Sequence, residues 1–480
     1  MSFISVFYLV FLLAVAGVYY RLPAGLKVYW LLGAGYVFYL SWQPAFLFVL
    51  VAVTVWSYYA GKKVSAAAPG AEKKRWLAAG VVVSLVPLVF FKYFNFINDN
   101  VAELAAHAGF SYAVPNHPYL APLGISFFTF LAISYLADIY RGYLKPEPSA
   151  AKYFLYLAFF PTLLAGPIER ARSILKQISA PARFEYENLR AGFQLILWGV
   201  FKKVVLADRM TDLINNVYAE PQNAPGALVY AAIAFSVFQL FCDFSAYSDI
   251  AVGSARVLGI RLTKNFDDRV YAAPSREIFW QGWHRSLTMW LRDYVYFPIS
   301  RGVVNRTRLY FNLIVIYFLV GLWHGATWGF IIWGLLNGVW LVFENLTKPT
   351  RARFFERLGW DTEGRAFHFF AWLLVFHVGA FFGIFFRTED PSDVFRLLGH
   401  LGNSNAGLVA DPLARSAALT LVLLFFMDLV NRQIPKNENF DAFLSRQNVF
   451  LRWALCVLLG QLVMRYFFVF EDVKFVYFNF

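Results

Sequence analysis

The chain has 480 residues; 59% are hydrophobic and 20% aromatic, only 15% are charged, and the formal net charge is +13. Ordinary soluble domains carry roughly 25% charged residues. Apolar runs near the roughly 20 residues of a membrane crossing recur from end to end, which leaves no room for a sizeable soluble domain. The positive excess reads as Lys and Arg in short cytoplasmic loops, facing anionic membrane lipid or an acidic donor, and not as a nucleic-acid surface.

The chain therefore reads as an all-α polytopic membrane protein. Its start, "MSFISVFYLVFLLAVAGVYY", lacks a basic leader and is expected to be a retained first helix, not a cleaved signal. Crossings are predicted near 1–20, 28–42, 45–60, 76–96, 119–140, 190–206, 228–250, 309–323, 326–345, 366–386, 414–430 and 449–470. Several are short, which implies tilt, re-entry or a thinned bilayer. The stretches 153–168 and 278–298 are apolar but broken by Pro, Gly or charge. They are predicted to be re-entrant or interfacial helices, because irregular backbone survives at membrane depth only against protein or a water-filled cavity.

Basic clusters set the expected sidedness. Lys62, Lys63, Lys73, Lys74 and Arg75 form one; Arg301, Arg306 and Arg308 a second; Lys348, Arg351, Arg353 and Arg357 a third. With these inside, both termini lie outside, together with the loops 98–118, 207–227 and 388–413. Lys202 and Lys203 dissent, since they fall at the outer end of their span. Residues 1–470 are expected to form a single transmembrane domain, followed by an aromatic tail over 471–480.

Three stretches carry polar groups where lipid or protein should be apolar, and such groups usually mark function. "FCDFSAYSDIAVG" (241–253) places Asp243 and Asp249 in an apolar span. "EIFWQGWHRSLTMWLRDYVYFP" (277–298) groups Trp283, His284, Arg292 and Asp293 with further aromatics. "GLWHGATW" (321–328) sets His324 beside Trp323 within a long apolar run. The bland readings are a core histidine satisfied by one carbonyl and an amphipathic interfacial anchor. Cys242 and Cys456 provide neither a disulfide framework nor metal spacing. No clustered His or Cys ligand pattern points to a bound metal, and no bound cofactor is expected.

A buried histidine titrating near neutrality can take a proton from a hydroxyl, and that hydroxyl can attack a carbonyl. The Gly-x-Ser-x-Gly elbow is missing, as are the Walker A loop and the dinucleotide fingerprint. Acyl transfer to a hydroxyl is the chemistry left. No internal repeat is visible, which weakens a secondary-transporter reading. A non-catalytic polyol or glycan transporter, using His324 and the two aspartates as pathway groups, is the rival from another class.

At these residues the chain resembles the membrane-bound O-acyltransferases, closest to the bacterial alginate O-acetylation branch. The resemblance rests on the order and spacing of "KYFNF" (92–96), "PLGISFFTFLAISYLADIYRG" (122–142), "FFPTLLAGPIER" (159–170), "DFSAYSDIAVG" (243–253), the Trp-His motif region (279–298), "LWHGATWGFIIWG" (322–334) and "FFR" (385–387). It implies a ring of tilted helices with re-entrant segments around a central tunnel. His324 is then the catalytic base and His284 lies near the same tunnel, where it, or a tryptophan ring nitrogen, stabilises oxyanion charge. Trp283, Trp323, Asp243 and Asn337 are implied substrate contacts. Arg292 and Asp293 are expected to hold the cytoplasmic mouth as a charge pair. Arg141, with Asp138 and Tyr140, matches a further signature whose role is structural or catalytic. Asn337 is a departure, since relatives often carry histidine there.

The resemblance also bears on the last six residues, "FVYFNF" (475–480). By themselves they read as an interfacial aromatic anchor. The resemblance makes Tyr477 a candidate acyl acceptor. The implied donor is a cytoplasmic acyl thioester, acetyl-coenzyme A as co-substrate. The implied receiver is an extracytoplasmic SGNH-hydrolase-like partner that O-acylates an exopolysaccharide or cell-wall glycan, in a bacterial inner membrane. D-alanyl transfer from a carrier, and direct acylation of a lipid or glycan hydroxyl, are the alternatives.

Overall fold

The computed structural model describes residues 1–180, 183–388, 390–406, 408–435 and 437–467. Among them every regular element is helical. The tail 471–480, with Tyr477, lies outside the described residues.

Eight helices among the described residues are long and apolar enough to cross a membrane: Pro44–Ala66, Ala71–His107, Gly226–Val257, Arg306–His324, Trp328–Arg357, Arg365–Arg387, Pro412–Asn431 and Val449–Phe467. The chain is thus a multi-pass membrane protein. The other four predicted crossings are also helical but shorter: Val6–Arg21, Ala24–Leu40, Ile125–Tyr140 and Tyr186–Phe201. At 1.5 Å per residue the first three reach about 24–26 Å, short of a hydrocarbon core of about 30 Å, whereas Tyr186–Phe201 runs on without a break into Lys202–Ala207 and Asp208–Ala219.

The chain divides into two compact units, Met1–Phe193 with Ile250–Thr263, and Gln194–Asp249 with Lys264–Phe480. In the first, the helix Ile125–Tyr140 is buried at every position except Ala137 and Tyr140. A helix that is apolar all round needs neighbours on every side. Glycine supplies one of the close approaches: a Cβ at Gly61 would stand 2.7 Å from the Tyr135 ring. Tyr153 Oη donates to Ser57 Oγ at 2.7 Å, tying a third helix to the same packing. The stretch predicted as re-entrant or interfacial near 153–168 is a helix Ala150–Ala158, then a four-residue turn of helix Phe160–Leu163. Every residue from Leu155 to Glu169 is buried, which is where backbone can leave the helix at depth. Asp138 is buried in this unit, and Arg141 caps the end of Ile125–Tyr140 with its side chain exposed.

In the second unit, the helices Arg306–His324 and Trp328–Arg357 form a tight antiparallel hairpin. A Cβ at Gly321 would come within 2.3 Å of the Phe330 carbonyl oxygen, and one at Gly334 within 2.4 Å of the Tyr317 carbonyl oxygen. Only glycine lets the two backbones lie this close, the small-residue packing common between helices in lipid. The 278–298 stretch is likewise broken. Short helices Arg276–Gly282 and Arg285–Leu291 meet at Trp283 and His284, and a π-helical turn Arg292–Tyr296 follows.

The charge dissent at 202–203 has a structural explanation. Lys202 and Lys203 are not loop charges. They open a π-helical stretch, Lys202–Ala207, and both side chains are buried. Lys202 Nζ lies 2.8 Å from Asp249 Oδ2 and donates to Ser245 Oγ at 2.8 Å. Lys203 Nζ lies 2.7 Å from both Asp208 Oδ1 and Asp243 Oδ1. A loop-charge rule does not apply to ammonium groups neutralised inside the protein.

Candidate active site

His324 is the last residue of the helix Arg306–His324, and only 2% of it is exposed. The hairpin turn through Gly325 starts immediately after it, so the glycine-tight packing of the two helices also places this ring. Its surroundings are aromatic: Trp323 at 4.8 Å between ring centroids, Trp333 and Phe386 each at 5.1 Å, and Phe330 at 6.3 Å. Phe386 comes from the helix Arg365–Arg387, so three helices converge on one imidazole.

His284 arrives from the break between the two short helices. It is fully buried, and its ring lies 5.4 Å from Trp323 and 4.8 Å from Phe244. The indole of Trp323 is therefore in ring contact with both histidines. Two sequence motifs 40 positions apart meet at one side chain. The backbone of His284 is left-handed, φ 41° and ψ 54°. A non-glycine residue in that region costs about 1–3 kcal/mol and persists only where its surroundings hold it. Here Arg285 N–H donates to the Asn265 carbonyl at 2.8 Å, and Asp267 N–H to the Gly282 carbonyl at 2.9 Å, so the segment 265–267 clamps the break from both sides. Burial pulls the imidazole of His284 far below its ordinary value, to about 3, which keeps the ring neutral.

A cavity of about 60 Å³ lies beside these rings, lined among others by Ser236, Arg276, Trp283, Trp333, Phe386 and Arg387. Trp333 and Phe386 touch His324, so the cavity adjoins the imidazole shell. Trp283 of the Trp-His motif lines it and stacks on Phe279 at 5.4 Å.

Asn337 is buried in the wall of this region. It receives a hydrogen bond from Arg276 Nη2, and its own amide donates to the Trp333 carbonyl at 2.8 Å. Arg276 is itself buried, with its guanidinium 4.0 Å from the Phe279 ring centroid. Glu344 accepts from the Arg276 backbone N–H at 3.0 Å and from Trp340 Nε1 at 2.9 Å. Asn337 thus holds a cavity-lining arginine.

Asp243 is fully buried and paired with Lys203 at 2.7 Å, and its charge also reaches Arg387, which lines the cavity. Arg292 and Asp293 do pair, Nε to Oδ1 at 2.9 Å, on a partly exposed π-helical turn. Arg141 belongs to the other compact unit.

Arg276 and Asn265 were not singled out from sequence; Arg387 appeared only as the end of the "FFR" motif, and Lys202 and Lys203 only as dissenting charges. For Lys202 and Lys203 a signal existed, since two lysines and two aspartates in neighbouring apolar spans can neutralise one another. Arg387 donates to Gln239 Oε1 at 2.5 Å, a pairing between helices that no sequence spacing encodes.

Comparison with known proteins bears on this arrangement. The family model described as MBOAT, membrane-bound O-acyltransferase family, matches residues 85–387. The chain is 37% identical over 397 residues to a probable alginate O-acetylase of Azotobacter vinelandii, covering 82% of this chain and 76% of that one. It is 30% identical over 411 residues to a peptidoglycan O-acetyltransferase of Helicobacter pylori, covering 79% and 74%. It is 28% identical over 325 residues to a teichoic acid D-alanyltransferase of Bacillus subtilis, covering 65% and 77%. The matched segment contains both buried histidines.

Proposed function

The chain belongs to the membrane-bound O-acyltransferase family and is an acyltransferase; from that premise we propose that it passes an acetyl group from a cytoplasmic thioester, acetyl-coenzyme A, across the membrane for O-acylation of an extracytoplasmic polysaccharide or cell-wall glycan. The observation that carries the chemistry is the pair of buried imidazoles, His284 and His324, both in ring contact with Trp323. The small cavity next to them suits a short acyl group, since a single water needs about 10–15 Å³ by a comparable measure.

In this reading His324 is the general base. It removes the proton from an acceptor hydroxyl as the oxygen attacks the thioester carbonyl. The tetrahedral intermediate collapses, the carbon–sulfur bond breaks, and the imidazolium returns the proton to the leaving thiolate. The new bond is an oxygen ester, so atoms and charge balance. The intermediate's oxyanion requires an N–H donor nearby, and the proposed donor is the indole of Trp323, whose ring contacts both imidazoles.

The proposed acceptor is the phenol of Tyr477. With an ordinary pKa of about 10 it is protonated at neutral pH and needs a base. The acyl-tyrosine ester then delivers the group to an extracytoplasmic SGNH-hydrolase-like partner, which completes transfer to the glycan. The proposed setting is a bacterial inner membrane with both termini outside. The alginate and peptidoglycan O-acetyltransferases among the relatives support acetyl over D-alanyl.

The test is mass spectrometry of the C-terminal peptide after the purified protein is incubated with acetyl-coenzyme A. One acetyl group on Tyr477, lost in His324→Ala, is the expected result. Thioester turnover that leaves Tyr477 unmodified and persists in Tyr477→Phe would remove the relay and favour direct transfer. Turnover that survives His324→Ala would remove the base.

A further inference from the structure

Asn265 is 1% exposed and lies against the break that carries His284. Its side-chain oxygen accepts from the Ser286 backbone N–H at 3.1 Å and from Ser286 Oγ at 2.8 Å. A backbone N–H can only donate, so this atom is the amide oxygen and the orientation of the amide is settled. The same oxygen lies 3.3 Å from Nδ1 of His284. A carbonyl oxygen has no hydrogen to offer, so Nδ1 must be the donor. Ser286 Oγ stands 3.5 Å from Nδ1. Its only proton is used toward Asn265, so it too can only accept from that nitrogen. In a neutral imidazole with hydrogen on Nδ1, the other nitrogen carries a lone pair. Nε2 of His284 is buried with no hydrogen-bond partner among the described residues.

We infer that Asn265 is a positioning residue that holds His284 as the Nδ1–H tautomer, so that Nε2 faces bound substrate as a hydrogen-bond acceptor and does not serve as an oxyanion donor. This rests on the acyl-transfer reading above for its substrate, but not for the tautomer. It departs from the oxyanion role the resemblance implied for His284 and leaves that role to an indole N–H. It is consistent with the left-handed backbone at His284. With His284 turned this way the oxygen of one asparagine receives Ser286 N–H, Ser286 Oγ and the imidazole Nδ1–H together. The group that Nε2 accepts from is an O–H or N–H of the substrate, such as the attacking hydroxyl or an amide N–H of the thioester donor.

The first measurement is the nitrogen-15 spectrum of histidine-labelled full-length protein, with the His284 signals assigned by their loss in His284→Gln. Hydrogen on Nδ1 and a bare Nε2 are expected. Hydrogen on Nε2 in the wild-type protein would overturn the proposal, and this outcome needs no variant to fold. In Asn265→Leu the fixed tautomer is expected to be lost, with kcat falling more than KM rises; an unchanged tautomer there would also overturn it. Asn265→Asp keeps an acceptor and adds negative charge beside Nδ1–H. It is expected to restore the tautomer and to move the acid limb of the turnover profile to higher pH, a shift that a packing role alone does not produce. A protein with the Nδ1–H tautomer but no thioester turnover would count against acyl transfer while the tautomer assignment stands.

Discussion

Lys203 Nζ lies 2.7 Å from Asp243 Oδ1, and neither side chain has any exposed surface. Asp208 is equally close to the same ammonium. One cation therefore serves two carboxylates. Removing it leaves two buried negative charges facing each other, whereas removing Asp243 leaves a matched pair. Lys203→Met is accordingly expected to be the more damaging change, by about 3–5 kcal/mol, the usual cost of an orphaned buried charge. Asp243→Asn is expected to cost clearly less. Thermal unfolding in detergent checks the order. Thioester turnover per folded molecule is expected to survive Asp243→Asn; its loss would return Asp243 to the substrate site.

The hairpin that ends at His324 depends on glycine contacts to backbone, not to flexible side chains. At Gly321 an added Cβ meets the Phe330 carbonyl oxygen at 2.3 Å, so the helices must separate. Gly321→Ala is expected to lower stability by about 1–3 kcal/mol, the range for overpacking. Because His324 is three residues on, turnover should fall further than stability. Gly17→Ala, whose nearest neighbour is the flexible end of Arg21 at 3.6 Å, is the control and should be near neutral in both assays.

Arg276 donates to Asn337 inside the cavity wall. Asn337→Leu removes the acceptor and leaves a buried guanidinium short of a partner, at a cost of about 1–3 kcal/mol or more. Asn337→Gln or Asn337→His keeps an acceptor and should retain more of the stability. The same variants separate a wall role from a substrate contact. If Asn337 acts through Arg276, Arg276→Gln combined with Asn337→Leu should be less than the sum of the two, as expected for coupled neighbours.

The buried, neutral state of His284 sets a pH dependence. Its folded value is lowered to about 3 by burial, against about 6.5 in an unfolded chain. Between those values the unfolded state binds the extra proton, so stability falls as pH drops below about 6.5 and stops falling near 3. The slope from this one group approaches about 1.4 kcal/mol per pH unit. Unfolding measured from pH 7 to pH 4 should show it, and His284→Gln should flatten that part of the curve. An unchanged slope in the variant would mean that other groups set the acid sensitivity.

The sequence by itself determined the class of molecule. Apolar runs such as "LVFLLAVAG" and "FIIWGLLNGVWLV" recur along the whole chain, which points to helices facing lipid or one another. The family motifs, read in order, added the reaction and pointed to His284 and His324. What they could not supply was neighbourhood. Charge counting along the chain left Lys202 and Lys203 as dissenting charges, because Asp243 and Asp249 lie 40 or more residues away and meet them, together with the nearer Asp208, only after folding. For Asp243 too, the Lys203 partner was not visible along the chain. An acid in an apolar span is costly until its partner is known, and function and structure then read alike in one dimension. Asn265 gave no signal, since a single asparagine in a polar loop is ordinary until its oxygen is found beside an imidazole. Tertiary structure decided these points because hydrogen bonds and ion pairs depend on distances of about 3 Å, and sequence separation does not carry that information.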